Sequence, residues 1–196
     1  MLVENLTGKT DKTLVIQCQQ GDSGSFRYLY QRYQAKVRST LYQLCGNNRL
    51  DDLVQEVFLR VWKGIPKLRE TAYFSTWLYR ITWNVATDER RQFAKYGASV
   101  AEDLTEVETR LSRPQDSPNL MQLHYQDVIQ RGLQSLSLDH RAVLVLHDLE
   151  DLPQKEVAEI LHLPTGTVKS RLFYARQAIR TFLQQQGVHN ASISES

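Results

Sequence analysis

The stretch "LPQKEVAEILHLPTGTVKSRLFYARQAIRTFL", residues 152–183, contains two apolar helical patterns separated by a short turn. Val157 and Ile160 give the first helix a buried face, and "HLPTG" forms the turn. Val168 and Leu172 then begin the buried side of the second helix. Two helices joined by so short a turn indicate a helical domain in this half of the chain.

The spacing between the two helices predicts a helix-turn-helix. Ala158 and Val168 lie ten residues apart. A small residue in the first helix lets the second approach closely, and the β-branched residue fills the gap. The second helix therefore has one buried side and one side that faces outward.

The outward side of the second helix gathers positive charge, because "TVKSRLFYARQAIRTFL", residues 167–183, contains no acidic residue. A DNA major groove admits one helix, and its base edges offer mainly acceptors to Lys and Arg. A charged face is often only solvated, and this is the favoured interpretation for Arg180. The predicted DNA contacts are Thr167, Lys169, Ser170, Arg171, Phe173 and Tyr174.

Apolar residues at helical spacing also fill the first half of the chain. A short helix is predicted before three amphipathic ones, and the stripe of the middle one runs from Leu50 to Trp62. The chain is therefore predicted to be all-α, with two small helical domains at residues 11–96 and 120–186.

The segments outside these domains have a different composition. Residues 97–119 are rich in Asp and Glu, include Pro114 and Pro118, and predict a flexible acidic linker. Residues 1–10 are interpreted as an N-terminal tail and residues 187–196 as a disordered tail.

Charge and cysteine usage exclude several classes of protein. With 24 basic and 22 acidic residues, the chain cannot coat nucleic acid by bulk charge, so binding must come from local patches. Cys18 and Cys45 continue apolar stripes and are predicted to be buried free thiols, with a redox switch or disulfide as the alternative.

The chain has neither a run of about 18 apolar residues nor a signal-peptide pattern, which predicts a soluble cytoplasmic protein without membrane insertion.

A polar face of the predicted helix "LDDLVQEVFLRVWKGI" brings together Asp52, Gln55, Glu56 and Leu59. A metal or catalytic cluster would need carboxylates from several elements, and no His is present here. A solvated face is the default interpretation. A protein-docking face is the sharper one, because Leu59 supplies an exposed apolar centre.

The next predicted helix carries aromatic and basic residues away from its core stripe. They include Tyr79 and a candidate set for single-stranded nucleic acid, in which bases stack on aromatic rings and phosphates pair with Arg. Trp83 is equally consistent with a secondary packing seam. The candidate set is Arg80, Trp83, Asn84, Arg90 and Arg91.

The segments "DLVQEVF" (52–58), "TWLYRI" (76–81) and "GTVKSRL" (166–172) together resemble, in order, the conserved regions of bacterial extracytoplasmic-function (group 4) sigma factors. The resemblance covers nearly everything except the linker and both ends. It implies a non-enzymatic transcription initiation factor with a region 2 bundle and a region 4 helix-turn-helix.

The resemblance also implies a role for each surface. Asp52, Gln55 and Glu56 match a motif that docks on the β′ subunit of core RNA polymerase, and Phe58 would support that face from the core. Asn84 matches the edge of a pocket that captures a base of the melted non-template strand at the minus-ten element. The basic helix would read the double-stranded minus-thirty-five element, and the acidic linker would thread the polymerase near its active site and RNA exit path. The implied partner is core RNA polymerase with its β and β′ subunits.

The resemblance makes an anti-sigma factor a probable further partner and implies no cofactor. Two rival hypotheses stay open. One is a stand-alone helix-turn-helix regulator whose first domain dimerises or senses a signal. The other is a metal-dependent nuclease using Asp51, Asp52 and Glu56, although the sequence supplies no second acidic cluster.

Overall fold

A computed structural model describes residues 8–97 and 120–187 of the chain. These residues form α1 (Asp11–Gln19), α2 (Ser23–Cys45), α3 (Leu50–Gly64), α4 (Phe74–Gly97), α5 (Leu120–Ser135), α6 (Leu138–Leu144), α7 (Gln154–Leu161) and α8 (Thr165–Gln185). Short 3₁₀ turns at Ile65–Lys67 and Thr71–Tyr73 connect α3 to α4, and a π-helical turn at Val145–Leu149 follows α6. The prediction of an all-α fold with two helical domains is confirmed.

Some sequence predictions concern segments that the structure does not describe. The predicted linker, apart from Gly97, lies outside the described residues, as do the predicted tails apart from residues 8–10 and 187. Among the helices of the described ranges, none combines the length and the apolar character that crossing a bilayer requires.

Helices α1–α4 form the first domain because each buries an apolar stripe against the others. Side-chain caps define two of the starts: the Thr10 hydroxyl accepts from the Thr13 amide (3.3 Å), and the Asp22 carboxylate accepts from the Gly24 amide (2.9 Å). The fully buried residues of this core include Leu14, Val15, Leu29, Val37, Leu41, Val57, Val61, Phe74 and Leu78.

The end of α3 passes close to the start of α4 at Gly64. A Cβ added to Gly64 would lie 2.7 Å from Cζ2 of Trp77, so only glycine allows this approach. Trp62, placed on the buried stripe by its periodicity, is instead 45% exposed at the rim, where its ring packs edge-on against Phe26 with centroids 4.8 Å apart. The helix ends two residues later, at Gly64.

Helices α5–α8 form the second domain and contain the predicted helix-turn-helix. Helix α7 ends at His162, which has a left-handed conformation (φ 55°), and the Leu163 amide donates to the Ala158 carbonyl at 2.9 Å. Val168 is fully buried and Ala158 is nearly so. The close helix crossing predicted from these two residues is therefore consistent with the structure.

The two domains contact each other. Helices α2 and α4 of the first domain pack against α5, α7 and the π-helical turn of the second. Their buried apolar side chains belong to one continuous cluster. This contact decides which candidate surfaces face solvent.

Candidate nucleic-acid and protein interfaces

Helix α8 presents an exposed polar and aromatic face near its N-terminus. Lys169, Ser170, Phe173 and Tyr174 are exposed, whereas Thr167 is half-buried. The rings of Phe173 and Tyr174 stack edge-on with centroids 5.4 Å apart and are 64% and 59% exposed. Large aromatic rings that face solvent on a helix are unusual for a surface with no partner.

The start of α8 has no side-chain cap, because Pro164 occupies the N-cap position. The Thr167 and Val168 amides donate to the Pro164 carbonyl at 2.9 and 3.2 Å. The amides of Thr165 and Gly166, which precede them, are therefore the groups of this turn that favour an anion such as phosphate. The Ser170 hydroxyl donates to the Thr167 carbonyl at 3.0 Å, which leaves its oxygen free to accept from a ligand.

Two arginines of α8 are neutralised within the second domain. Arg171 pairs with Asp139 at 3.0 Å and retains 26% of its side-chain exposure. Arg176 binds Asp148 through Nε at 2.8 Å, and these hydrogen bonds raise the pKa of the Arg176 guanidinium. In the described part of the chain, Lys169 forms no such ion pair. The charge of Arg171 is thus already paired with a carboxylate, whereas Lys169 has no such pair in the described residues.

The candidate residues of α4 divide between two environments. Asn84, Arg90 and Arg91 are exposed, as predicted for a nucleic-acid surface. Arg80 and Trp83 are half-buried, and Trp83 packs against the apolar cluster. The sequence alternatives for Trp83 thus both have support, because part of the ring is packed and part is accessible.

Tyr79 was predicted to point away from the core, but the structure buries it to 4% exposure. Its hydroxyl donates to Glu150 Oε2 of the second domain at 2.7 Å. Burial, followed by this hydrogen bond, raises the pKa of Tyr79 above its ordinary value. The periodicity of α4 alone could not reveal this partner, because it lies 71 residues further along the chain.

The polar face of α3 is mainly exposed. Asp52, Gln55 and Leu59 face solvent, Leu59 with 52% exposure, and Glu56 is half-buried. Phe58 is buried beneath them and packs edge-on against Tyr30 with centroids 4.6 Å apart. The prediction that Phe58 supports this face from the core is consistent with its position.

Arg60 organises the polar face, and sequence reasoning did not identify it. Its Nε donates to Glu56 Oε1 at 2.7 Å, and its Nη1 donates to Asp88 Oδ2 of α4 at 2.8 Å. The hydrogen bonds, first to Asp88 and then to Glu56, raise the pKa of the Arg60 guanidinium. The spacing between Glu56 and Arg60 in one helix was the available signal.

The nuclease alternative receives no structural support. Asp51 pairs with Arg38, Asp52 with Arg49 and Glu56 with Arg60. Within the two described ranges, no group of three or more His, Cys, Asp or Glu side chains is arranged to hold a metal ion.

Family models match both domains. Sigma-70 region 2 matches residues 29–95, and Sigma-70, region 4 matches residues 126–179. The ECF RNA polymerase sigma-E factor of Haemophilus influenzae is 34% identical over 182 residues, which cover 89% of this chain and 96% of the relative. The factor of the same name from Escherichia coli K12 is 34% identical over 181 residues, with 89% and 95% coverage.

Solved structures have the same fold. CnrH, determined in complex with the cytosolic domain of CnrY, matches with a TM-score of 0.67 at 22% identity and covers 89% of this chain and 97% of its own. The sigma factor RpoE of Bartonella quintana, determined with the anti-sigma factor NepR, matches with a TM-score of 0.67 at 21% identity and 81% and 96% coverage.

Proposed function

The chain belongs to the extracytoplasmic-function (ECF) sigma factors, and we propose that it performs promoter-directed initiation through three separate surfaces. Sigma factors are initiation factors and not enzymes, and we infer that this chain likewise acts by binding alone. The observation that carries the proposal is the match of the two sigma regions to the two helical domains, each with an exposed polar face.

The first surface is the N-terminal half of α8, which we assign to the double-stranded minus-thirty-five element. Lys169 and the uncapped helix start suit phosphates, while Ser170, Phe173 and Tyr174 suit base edges in the major groove. Thr167 borders this face. Arg171 contributes less than Lys169, because Asp139 already neutralises its charge.

The second surface is α4, which we assign to the minus-ten element and its melted non-template strand. Asn84 is exposed beside Trp83, and Arg90 and Arg91 continue the face toward the end of the helix. An aromatic ring next to cations suits stacked bases and a phosphate backbone. Arg80 lies on the same side and extends the strand's path.

The third surface is the polar face of α3, which we assign to core RNA polymerase. Asp52, Gln55 and Glu56 lie one to two helical turns before the exposed Leu59, so an apolar side chain adjoins polar groups on one face. Arg60 fixes the position of Glu56 by a 2.7 Å hydrogen bond. This arrangement fits docking on a complementary face of the β′ subunit.

Further partners and location follow from the family. Since the RpoE neighbour was determined with an anti-sigma factor, we propose that such a protein also controls this chain. We place its activity in the cytoplasm, where polymerase and chromosome are found.

Reconstitution with core polymerase tests the proposal. The purified chain should direct core enzyme to a subset of a randomised promoter library that shares two short motifs, and it should co-purify with β and β′. Leu59→Ser should weaken the association with core enzyme, whereas Ile129→Ser, at a residue of similar exposure (51%) on α5, should leave it unchanged. A chain that binds specific duplexes alone and ignores core polymerase would instead be a stand-alone regulator.

A further inference from the structure

A cavity of about 620 Å³ lies between α4 of the first domain and α5 and α6 of the second, next to the end of α2. A cavity of this size can hold a drug-sized molecule. Of the residues assigned to the three binding surfaces, only Arg90 lines it. The cavity is therefore a feature that the proposed function leaves unexplained.

Arg141 brings an unused hydrogen-bond donor to the cavity. Its side chain is 4% exposed and belongs to the lining. The two Nη atoms donate to the Leu44 carbonyl, to the side-chain and main-chain oxygens of Gln134 and to the Leu136 carbonyl, so their N–H groups are all engaged. The Nε is buried and has no acceptor among the described residues. An unpaired buried donor is costly, so an acceptor that enters the cavity and reaches Nε is bound favourably.

Positive charge in the cavity exceeds the negative charge available to it. The acceptors of Arg141 are uncharged, and Arg90 forms no ion pair in the described ranges. Glu89 is the one carboxylate among the described lining residues, and its Oε2 pairs with Arg49 Nη1 at 3.3 Å. Burial, followed by the charge of nearby Arg90, lowers the pKa of Arg141. An anion placed near both guanidinium groups offsets their repulsion.

Apolar side chains supply most of the remaining lining. Leu44 and Ala86 are buried, Leu138 is half-buried, and the Phe93 ring is 68% exposed. A large ring that faces solvent has apolar surface left to bury. Apolar walls with a few polar groups are typical of small-molecule sites, so a ligand that fits here has an apolar body as well as an anionic group.

We propose that this cavity is a binding site for a small amphipathic organic acid, such as a medium-chain carboxylate. The carboxylate accepts from Arg141 Nε and pairs with Arg90. The hydrocarbon chain packs against Leu44, Phe93 and Leu138. Such a site gives the chain a direct input from a small molecule, without a partner protein. The inference stands on these contacts and does not depend on the roles proposed for the DNA- and polymerase-binding surfaces.

Octanoate is the probe, and 1-octanol, which has a similar hydrocarbon chain without the charge, is its control. Isothermal titration calorimetry of the full-length chain should show saturable binding of one octanoate per chain. The alcohol should bind at least about tenfold more weakly, because a hydrogen bond to a charged group is stronger than one to a neutral group.

Two exposed residues test the two halves of the site. Arg90→Gln removes the accessible cation and should weaken octanoate binding by roughly tenfold. Phe93→Ala removes apolar contact and should weaken octanoate and octanol binding alike. Arg27→Gln is the matched control, because it makes the same substitution at an exposed position on α2 outside the cavity and should leave octanoate binding unchanged.

A third variant tests the unpaired donor itself. Arg141→Lys keeps the charge but removes Nε, so it should weaken octanoate binding while leaving octanol binding unchanged. Arg141 also holds main-chain carbonyls of α2 and α5 in place. If Arg141→Lys fails to fold, Arg90→Gln and Phe93→Ala carry the test.

Cys45 reports whether the probe occupies this cavity. Its side chain lines the cavity, whereas Cys18 is 7% exposed inside the first domain. Saturating octanoate should slow the alkylation of Cys45 by iodoacetamide and leave the alkylation rate of Cys18 unchanged. Peptide mapping by mass spectrometry follows the two thiols separately.

Each possible failure removes a different part of the proposal. Absence of saturable octanoate binding would overturn the site itself. Equal binding of octanoate and octanol, or equal affinity of Arg90→Gln and Arg27→Gln for octanoate, would overturn the role of the guanidinium groups. Binding that leaves Cys45 alkylation unchanged would overturn the assignment to this cavity. None of these results bears on the promoter surfaces, which the promoter-library experiment tests separately.

Discussion

Replacing Lys169 by Ala should remove one phosphate contact at the minus-thirty-five element and leave the fold intact. The side chain is exposed at the start of α8 and forms no ion pair in the described part of the chain. Removing the Lys169 side chain therefore opens no cavity, and it deprives no carboxylate in the described residues of an ion-pair partner. Any change in promoter binding then reports on the DNA contact itself.

The expected size follows from counterion release. Each neutralised phosphate contributes about 0.9 to the slope of log affinity against log salt concentration. Between 50 and 200 mM salt, the wild-type holoenzyme should therefore lose about 3.5-fold more affinity than the Lys169→Ala holoenzyme, a difference of ~0.7 kcal/mol. The loss should be similar across promoter sequences, because a phosphate contact carries no base information.

The structure supplies two internal comparisons. Arg180→Ala removes an equal charge from an exposed position three helical turns further along α8, and it should leave the slope unchanged. Asp139→Ala releases Arg171 from its 3.0 Å pair and should steepen the slope by up to about 0.9, because a freed guanidinium can reach phosphate.

Holoenzyme titrations on one promoter fragment at five or more salt concentrations measure all three slopes. An unchanged slope for Lys169→Ala would remove it from the contacts. A slope lowered equally by Arg180→Ala would indicate a general field of positive charge and refute the assignment of a specific phosphate.

Three further predictions concern the first domain. Gly64→Ala should lower the free energy of unfolding by about 1–2 kcal/mol in urea titrations, because overpacking against Trp77 exceeds the gain in helix propensity, and a stabilised variant would contradict the 2.7 Å approach. Asn84→Ala should slow promoter opening, followed by permanganate footprinting, more than it weakens the closed complex, and equal effects would argue against base capture. Burial raises the pKa of Cys18 to about 11, so its alkylation should accelerate up to that pH, whereas a plateau near pH 9 would indicate an exposed thiol.

The same pKa shift has a consequence for stability. Since the folded pKa of Cys18 lies above its ordinary value of 9.0, the thiol's contribution to folding is complete below pH 9 and declines as the pH rises toward 11. Urea midpoints across this range should therefore fall with increasing pH.

Local patterns predicted the helices, because apolar spacing acts within a few turns. The burial of Phe58, Val168 and Leu172 and the exposure of Lys169 all follow from periodicity. The sequence reasoning failed where a second domain supplies the environment. Periodicity places Tyr79 on the polar side of α4, whereas in the structure it is buried and donates to a carboxylate far away in the chain.

The spacing of apolar residues also could not predict which charged side chains form ion pairs with each other. Arg171 belongs to the charged face of α8, but its partner Asp139 comes from α6, and only the packing of these helices joins them. Arg141 is buried, and its guanidinium donates to four oxygens that belong to Leu44, Gln134 and Leu136. No apolar pattern in the sequence encodes such a set of acceptors. The residue assignments of the three binding surfaces stay predictions until the variants are measured.

The pairing of Arg171 with Asp139 and of Arg176 with Asp148 also affects how the protein distributes itself in a cell. Nonspecific adsorption to the chromosome grows with the number of unpaired cations a protein can offer. Because two arginines of the proposed DNA-reading helix are already paired with carboxylates, we expect the factor to adsorb weakly to the vast excess of random genomic sequence. We therefore expect a large share of its molecules to diffuse freely, where they compete with other sigma factors for vacant core enzyme.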